Sequence, residues 1–442
     1  MSLGRHTLTG LLCCNGLQQS DWSADYRFYS KDRLDEERLF KEIRQEVEGC
    51  LETSESLVVG MDDSILRKSG PKIDGVGYRR DPLSPPFCCN LVRGQRVLQL
   101  SAALPQGQGA ARLIPIDWRH APLPAKPPKK APPQQWQHYQ EERRQANINK
   151  LGVERIEHLR KEMDQEGSSE RSLIMVVDGR FTNTTVLRNL PERTTLIGRV
   201  RKDAALNYLP EEQKSLGRKR LYGASAPSPE QLREDQTVDW EKIEAFAAGE
   251  LRGFKVKTLG PLLYRCRGGH RKVQLLVIAP LGYRLRKGSK ILYRQPAFLI
   301  CTDPELCAQK LLQAYLWRWD IEVNFRDEKT LLGVGQAQVR TANSNQNLPA
   351  LAVAAYAMLL LASAKTYGSE QAADALPPPK WRRKSQPQRP STAQLINQLR
   401  LDLWAEAIHP KHFYDFTSNN HPDQNQKKLN PCLPSALFYA VA

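Results

Sequence analysis

Two apolar segments, each followed by an aspartate, constrain the fold of this chain more than any other feature of its sequence. Residues 57–61 (LVVGM) precede Asp62, and residues 172–177 (SLIMVV) precede Asp178. Short apolar runs rich in β-branched residues are typical of buried strands. An aspartate at the end of a strand lies at the rim of a sheet, where a rigid scaffold can present it to a ligand. One such aspartate is a common event, so the pair requires support from other residues.

The order of the predicted elements indicates an α/β fold with a mixed sheet and helices on its faces. An amphipathic helix is predicted at 32–51, and a β-rich insertion at about 215–295. The other predicted elements are strands at 57–61, 73–79 and 97–103, a long polar helix at 135–166, a strand at 172–177, a short helix at 184–190, a strand at 195–200, and helices at 304–332 and 349–366.

The composition favours a polyanionic partner. The chain has 442 residues, enough for about two or three folded units, and carries 65 Lys and Arg against 48 Asp and Glu, a net charge of +17. Nucleic acid is the first partner that such a surplus suggests, and an acidic membrane surface is the second. The longest apolar run, 350–362, is too short to span a bilayer and is interpreted as a buried helix. The nine irregularly spaced cysteines indicate reduced intracellular thiols.

A third acidic residue, Glu322, lies on a predicted helix with an unusual set of neighbours. At about 100° per residue, Tyr315, Arg318, Glu322 and Lys329 all point within about 60° of one another, and Arg326 extends the same stripe. A solvated face with Arg318–Glu322 and Glu322–Arg326 ion pairs is the simpler interpretation. It explains less well why a phenol shares the stripe.

The spacing of these four residues matches the YREK motif of DDE transposases from bacterial insertion sequences, and other segments of the chain resemble the same family. Asp62–Asp63–Ser64 is similar to the first motif of these enzymes. Asp178–Gly179 through Asn183, followed by residues 198–204 (GRVRKDA), is similar to the second. The WSADYRFYS segment from Trp22 resembles their N-terminal region. The resemblance covers roughly residues 5–365.

The resemblance implies an RNase H-like core: a mixed sheet flanked by helices, interrupted by a mainly β insertion, with small helical N- and C-terminal regions. We expect a DNA-end-binding helical region that relatives extend further at the N-terminus, a core in two parts of which the second holds the YREK helix, the insertion, and a basic, proline-rich C-terminal region. Their boundaries are 1–52 for the helical region, 53–212 and 296–368 for the core, 213–295 for the insertion and 369–442 for the C-terminal region.

The resemblance also implies a metal site. Two Mg²⁺ ions, with Mn²⁺ able to substitute, would be held by Asp62, Asp178 and Glu322, with Asp62 bridging both ions. These three residues would be the catalytic residues. Among the cationic and aromatic neighbours, the expected DNA contacts are Tyr315, Arg318, Lys329 and Arg326.

Two assignments stay open at this stage. Asp63 is an alternative to Asp62, because side chains alternate along a strand and only one of the two can face the site; the Asp-x-Ser pattern favours Asp62. Trp240 and the tyrosines of the insertion are alternative aromatic residues for an excision route that passes through a DNA hairpin. Asp303 and Glu305 are interpreted as partners of a helix dipole instead of ligands.

The expected activity is metal-dependent cleavage at the inverted repeats of an insertion sequence, followed by strand transfer into target DNA. The expected partners are double-stranded transposon ends and target DNA, with the protein acting as a homodimer in a synaptic complex in the bacterial cytoplasm, at the nucleoid and away from membranes. Two alternatives remain: a catalytically silent DNA-binding relative, and an RNase H-like nuclease without strand transfer.

Overall fold

The computed structural model describes residues 5–368 and 389–405, apart from 212–219, 265–270 and the positions 16, 18–19, 71, 82–83, 86, 108 and 287. Most of the predicted C-terminal region, 369–442, therefore lies outside the described residues. The strands are β1 (Leu57–Arg67), β2 (Gly77–Arg80), β3 (Leu91–Pro105), β4 (Ala111–His120), β5 (Leu173–Val177), β6 (Thr194–Arg199), β7 (Leu206–Tyr208), β8 (Glu241–Ala247), β9 (Glu250–Tyr264), β10 (Lys272–Ile278), β11 (Gly282–Tyr283), β12 (Leu292–Tyr293) and β13 (Ala297–Cys301).

The helices precede, interrupt and follow the strands along the chain. They are α1 (Leu8–Cys14), α2 (Ser23–Ser30), α3 (Glu36–Glu48), α4 (Pro133–Gln145), α5 (Ile148–Gln165), α6 (Thr184–Arg188), α7 (Pro229–Glu234), α8 (Ala308–Trp317), α9 (Asp320–Thr330), α10 (Ala342–Tyr367) and α11 (Thr392–Ala405).

An eleven-stranded mixed sheet runs through the described part of the chain, with two halves of different character. In the first half β4, β3, β1, β5 and β6 are neighbours in that order; β3 is antiparallel to both β4 and β1, whereas β1, β5 and β6 are parallel. In the second half β6 continues antiparallel into β13, β10 and β9. This mixed sheet flanked by helices is consistent with an RNase H-like fold and confirms the expected fold class.

The central strand β5 shows how the sheet is stabilised. All five of its residues are buried, and they alternate between two apolar cores. On one face β5 packs in the core that contains α3, α5 and α10, and on the other face in the core that contains α8 and α9. Full burial on both faces is typical of parallel strands covered by helices and explains the continuous apolar run of β5.

Several predicted strands differ from the observed ones. β1 does not end at Asp62 but continues to Arg67, because β3 pairs with it along that length, including Asp62 with Gln99. β2 begins at Gly77 instead of residue 73, and β3 is longer than the predicted 97–103. The strand β4 was not predicted. The proline within β4, Pro115, and the bulge beside it weakened the strand signal. The segment predicted as a β-rich insertion contains the strands β8 to β12 and the short helix α7, and its strands β9 and β10 extend the same sheet beyond β13.

Two helices that the sequence predicted as continuous are each broken. The helix predicted at 135–166 divides at Asn147, whose side-chain oxygen accepts a hydrogen bond from the N–H of Asn149 and begins α5. The helix predicted at 304–332 begins only at Ala308, so Asp303 and Glu305 precede its first turn. The dipole interpretation of these two residues was wrong: Asp303 Oδ1 instead accepts the N–H of Glu305 in a turn before α8.

The second half of that predicted helix contains a further break that matters for the site. α8 ends at Trp317 and α9 begins at Asp320. Between them the N–H of Arg318 bonds to the carbonyl of Tyr315, and the N–H of Ile321 bonds to the carbonyl of Arg318. These i→i+3 bonds define one 3₁₀-type turn, which keeps a helical course but tightens it.

Helix α10 is the one described helix that is long and apolar enough to cross a membrane. It is longer than the predicted segment 349–366, because Thr341 caps it and it continues through Pro349. Its packing is that of a core helix: 61% of its most apolar window is buried inside the protein, and it packs against α3 and β4. The seven described cysteines are free.

Candidate active site

The register of the central strands brings two aspartates side by side. The parallel pairing of β1 with β5 ends at Met61 and Val177. Asp62 and Asp178 are the next residues of the two strands, so they begin at the same level of the sheet. Asp178 then leaves the sheet in a turn, where its Oδ1 accepts the N–H of Arg180 at 2.9 Å. The two strands therefore fix two carboxylates side by side, at the level of the sheet where β5 ends.

Arg318, in the turn between α8 and α9, joins the third carboxylate to this pair. Its Nη1 lies 3.1 Å from Asp62 Oδ2, and its Nη2 lies 3.4 Å from Glu322 Oε1. The guanidinium side chain is only 10% exposed, whereas the Glu322 side chain is 39% exposed. Burial alone would lower the pKa of Arg318, yet the surrounding acidic groups, with Asp178 among them, raise it above its ordinary value. The structure thus brings Asp62, Asp178 and Glu322 around one cation.

A glycine on β1 lies beneath the Arg318 turn. A Cβ on Gly60 would lie 2.9 Å from Leu113 Cδ2, which is too close, and 3.9 Å from the Cα of Arg318, which is ordinary contact. Gly60 lies two residues before Asp62, on the same face of β1. The glycine therefore leaves room for Leu113 of β4 at the place where the Arg318 turn packs on the strand.

The electrostatics of the pair of aspartates indicate excess negative charge. Burial, and after it the charge of Asp178, raises the pKa of Asp62 to about 7, although Arg318 lowers it. Burial also raises the pKa of Asp178, against the lowering effect of the Arg180 N–H. Two buried like charges repel each other, and one arginine offsets this repulsion only in part. A further cation would lower both pKa values.

Asp63 lies on the opposite face of β1 and has a different environment. Its Oδ2 accepts a hydrogen bond from Arg96 Nε at 2.7 Å, and its Oδ1 lies 3.1 Å from Arg180 Nη1. Two arginines thus pair with this carboxylate, which is 10% exposed. Of the two adjacent aspartates, the geometry favours Asp62 as the one that faces Arg318 and Glu322.

Of the other residues of the predicted stripe, Tyr315 and Lys329 reach Arg318 and β1, whereas Arg326 pairs within its own helix. The ring of Tyr315 lies 5.7 Å from the Arg318 guanidinium, as the shared stripe predicted. Lys329 Nζ donates to Ser64 Oγ at 2.6 Å, two residues beyond Asp62, and so reaches β1. Arg326 pairs with Asp327 at 2.9 Å and is 64% exposed. Of the two ion pairs in the simpler interpretation of the stripe, the structure therefore contains Arg318–Glu322, whereas Arg326 pairs with Asp327 instead of Glu322.

The family comparison can be set beside this geometry. The model of the DDE superfamily endonucleases matches residues 4–252, more than half of the chain. The chain belongs to this family. No curated protein matches its sequence. The matched segment contains Asp62 and Asp178 and ends before Glu322, so the place of Glu322 in the site rests on the contacts of α9 alone. Membership of this family implies DNA as the substrate of the endonuclease.

The carboxylate set of the endonuclease fits divalent metal, which the family generally uses. Carboxylate oxygens are the ligands that Mg²⁺ prefers, and the pKa of Asp62 is raised to about 7 by burial first and by the charge of Asp178 second. Within the described ranges, no three His, Cys, Asp or Glu side chains are grouped closely enough to hold one ion together. The arrangement instead offers Asp62 beside Asp178, with Glu322 joined to Asp62 through Arg318, which contacts both.

Two buried polar groups near the site were missed in the sequence. Glu328 is 2% exposed and accepts a hydrogen bond from Gln99 Nε2 at 2.9 Å. Arg180 and Arg96, which flank Asp63, were also missed, although Arg180 lies within the segment from Asp178 to Asn183 that resembles the second motif. Its position in that segment was the available signal for Arg180. Nothing local in the sequence predicts that Glu328 and Gln99, 229 residues apart, are in contact.

Proposed function

We propose that this endonuclease is a DNA transposase of the YREK subgroup, which cleaves DNA at the inverted repeats of its insertion sequence and transfers the ends into target DNA by a cut-and-paste route. The observation that carries the proposal is the contact of Arg318 with both Asp62 and Glu322, beside Asp178. Three carboxylates from three separate segments, with an arginine and a tyrosine beside them, are suited to phosphodiester chemistry and offer no Ser/His or Cys/His nucleophile.

The metal ligands in this proposal are Asp62, Asp178 and Glu322, which would hold two Mg²⁺ or Mn²⁺ ions. When bound, two such ions would lower the pKa of an attacking water or 3′-hydroxyl and stabilise the leaving oxygen at a phosphate. Three carboxylates contribute a charge of about −3, which suits two divalent ions whose remaining ligands are phosphate oxygens. The 39% exposure of Glu322 leaves this carboxylate accessible from solvent.

The cations around the carboxylates are proposed to bind the DNA backbone. Arg318 carries a planar guanidinium that can pair with phosphate oxygens in the same way as with carboxylates. Lys329 and the exposed Arg326 provide further positive charge along α9, and Tyr315 provides an aromatic surface next to Arg318. These groups would orient the scissile phosphate and neutralise its charge without taking part in bond formation.

A second basic surface supports DNA as the partner. The basic hairpin, residues 281–294, contains five Lys and Arg residues and no Asp or Glu. Leu285, in the loop between β11 and β12, and Tyr293, on β12, are 74% and 68% exposed. The guanidinium of Arg294 lies 5.5 Å from the ring of Tyr283. Cations interleaved with exposed aromatic residues suit phosphates and unstacked bases.

The assembly and location in this proposal follow from the reaction. Joining two transposon ends to one target requires two active sites, so we propose a homodimer in a synaptic complex with double-stranded DNA. The proposed setting is the bacterial cytoplasm, at the nucleoid. The domain division proposed from the sequence, with the core interrupted by the insertion at 213–295, agrees with the change from mixed to antiparallel pairing after β6.

The test uses a duplex that carries the inverted repeat found beside the gene. Wild-type protein, Glu322→Gln and the matched control Glu305→Gln are incubated with the duplex, a target plasmid and Mg²⁺ or Mn²⁺. We expect cuts at the repeat tip and joining to the plasmid with wild type and Glu305→Gln, and neither with Glu322→Gln. Cutting without joining would support a nuclease instead. Tight binding without any cutting by wild type would support a DNA-binding relative and contradict the proposal.

A further inference from the structure

The helix that carries Glu322 has two acidic side chains buried on its opposite side. Asp320 is the first residue of α9 and Asp327 the eighth, and their side chains are 11% and 7% exposed. Seven residues are about two helical turns, so both lie on one face, about 10 Å apart. Glu322 is displaced from Asp320 by about 200° around the helix and lies on the other side. Buried carboxylates on the rear of the helix require partners.

The C-terminal strap, defined as residues 389–400, provides a partner at the first of these positions. Arg389 Nη1 lies 3.2 Å from Asp320 Oδ2, and its Nη2 pairs with Asp320 Oδ1. The same Nη1 donates to the carbonyl of Ala111 on β4 at 2.7 Å. Asp320 Oδ2 also accepts the N–H of Leu113 at 2.9 Å. Arg389 therefore ties the start of α9 to β4 with charge-assisted hydrogen bonds, which are stronger than neutral ones.

At the second position the strap adds a partner to Arg326, which already pairs with Asp327. Thr392 Oγ1 donates to Asp327 Oδ2 at 2.7 Å, and Thr392 is 5% exposed. The strap is itself packed into the protein: Leu395 and Ile396 are 3% and 5% exposed. The carbonyl of Pro390 accepts a hydrogen bond from the buried Arg112 of β4. The strap is thus anchored independently of its two contacts with α9.

We propose that the C-terminal strap is a positioning element for Glu322: Arg389 and Thr392 hold α9 at two points from behind, so that Glu322 on the opposite face keeps its place beside Arg318 and Asp62. For its catalytic consequence this inference rests on the proposed function. Displacing a reacting group by about 1 Å costs an enzyme on the order of a hundredfold in rate. Two contacts two turns apart restrict both the tilt and the rotation of the helix.

A purely structural role for the strap makes a different prediction. A segment that contributes only to global stability would, when weakened, accelerate amide hydrogen exchange throughout the cooperative core. A positioning element accelerates exchange in α9 first, while a distant helix such as α3 keeps its protection. It also lowers kcat more than it raises the KM for DNA, because the basic hairpin, residues 281–294, is proposed to bind DNA through residues outside α9.

The experiment compares full-length Arg389→Gln and Thr392→Val with wild type and with Arg400→Gln, a matched control whose guanidinium bonds to Asn397 of its own helix. Amide exchange is followed in residues 320–330 and in α3, and cleavage is measured as kcat and KM. We expect exchange in 320–330 to be about tenfold faster in both variants and kcat to fall at least about tenfold with a smaller change in KM, while Arg400→Gln behaves as wild type.

Three outcomes would overturn the proposal: unchanged exchange in 320–330, equal acceleration in α3 and α9, or a change in KM alone. The two readouts also separate the inference from the function on which it rests. A wild-type protein that fails to cleave DNA would contradict the proposed function, whereas the exchange comparison between α9 and α3 would still decide whether the strap positions the helix.

Discussion

The guanidinium of Arg318 lies 3.1 Å from the carboxylate of Asp62, although 256 residues separate them in sequence. This contact joins the middle of β1 to the turn that precedes the Glu322 helix. It also explains how a buried aspartate with a neighbouring aspartate is accommodated: one partly buried cation is shared among several acidic groups. The arrangement leaves net negative charge, which is the property a divalent cation requires.

The first prediction separates Asp62 from its neighbour Asp63. Asp62→Asn removes a carboxylate of the proposed metal site, so we expect DNA cleavage to fall at least about a thousandfold. Asp63→Asn leaves Arg96 and Arg180 without their acidic partner, so we expect a loss of about 1–3 kcal/mol in the free energy of unfolding with cleavage within tenfold of wild type. Parallel cleavage assays and urea unfolding check both. The reverse pattern would assign the ligand to Asp63.

The second prediction concerns metal addition and removal. A cation that binds only the folded protein raises the free energy of unfolding by about 2.7 kcal/mol at a hundred times its Kd. We expect Mn²⁺ to raise the Tm of wild type and EDTA to reverse the change. The increase should be smaller for Glu322→Gln and lost for Asp62→Asn, and should persist for the exposed Glu305→Gln. Equal increases in all four proteins would mean that Mn²⁺ binds elsewhere.

The third prediction is a pH dependence caused by Glu328. Burial raises the pKa of its carboxyl from 4.5 to about 8, against the hydrogen bond from Gln99. The folded state therefore holds a proton that the unfolded state releases above pH 4.5, so the stability that this group contributes is lost as pH rises from 4.5 to 8. Glu328→Gln stays neutral at every pH. Its free energy of unfolding, relative to that of wild type, should therefore rise by about 1 kcal/mol per pH unit over this window.

Urea unfolding of wild type, Glu328→Gln and the control Glu305→Gln between pH 5 and 9 measures this difference. We expect the gain of Glu328→Gln to level off above pH 8, where the wild-type carboxyl is ionised in both states. A gain that is constant across the whole range would show that Glu328 is already ionised in the folded protein.

The fourth prediction concerns the basic hairpin. Arg284→Ala with Arg294→Ala removes two of its cations, so we expect weaker binding to duplex DNA and a salt slope, log Kd against log[salt], that is smaller by about 2. Lys41→Ala with Lys365→Ala is the matched control, because these lysines already pair with Glu166 and Glu46. Fluorescence anisotropy between about 50 and 300 mM salt, over which the Debye length falls about 2.4-fold, measures both slopes. Identical slopes would place the hairpin outside the DNA interface.

The sequence predicted the parts of this protein that depend on local periodicity. The apolar runs that became β1 and β5, the amphipathic α3 and the β-rich insertion were all recognisable, because burial of one or both faces determines the pattern of residues. The stripe of Tyr315, Arg318 and Glu322 survived even though a 3₁₀-type turn interrupts the helix, because that turn keeps nearly the same residue directions.

The parts that were missed depend on contacts between distant segments. β1 continues past Asp62 because β3 pairs with it, which no local signal in residues 62–67 reveals. The ion pairs of Asp63, the hydrogen bond between Gln99 and Glu328, and the strap that reaches α9 all join segments far apart in the chain. Tertiary contacts of this kind decide where polar residues can be buried, and they are invisible to periodicity.

The central claim is that Asp62, Asp178 and Glu322 form one metal site, and Fe²⁺-directed cleavage of the protein tests it most directly. Fe²⁺ with ascorbate and peroxide produces radicals that cut the backbone next to the bound ion, so the cut positions identify the ligands without any DNA. We expect cuts near residues 62, 178 and 322 together, suppressed by excess Mg²⁺ and reduced at all three positions in Asp62→Asn. Cuts at other positions, or cuts that Asp62→Asn does not change, would contradict the account.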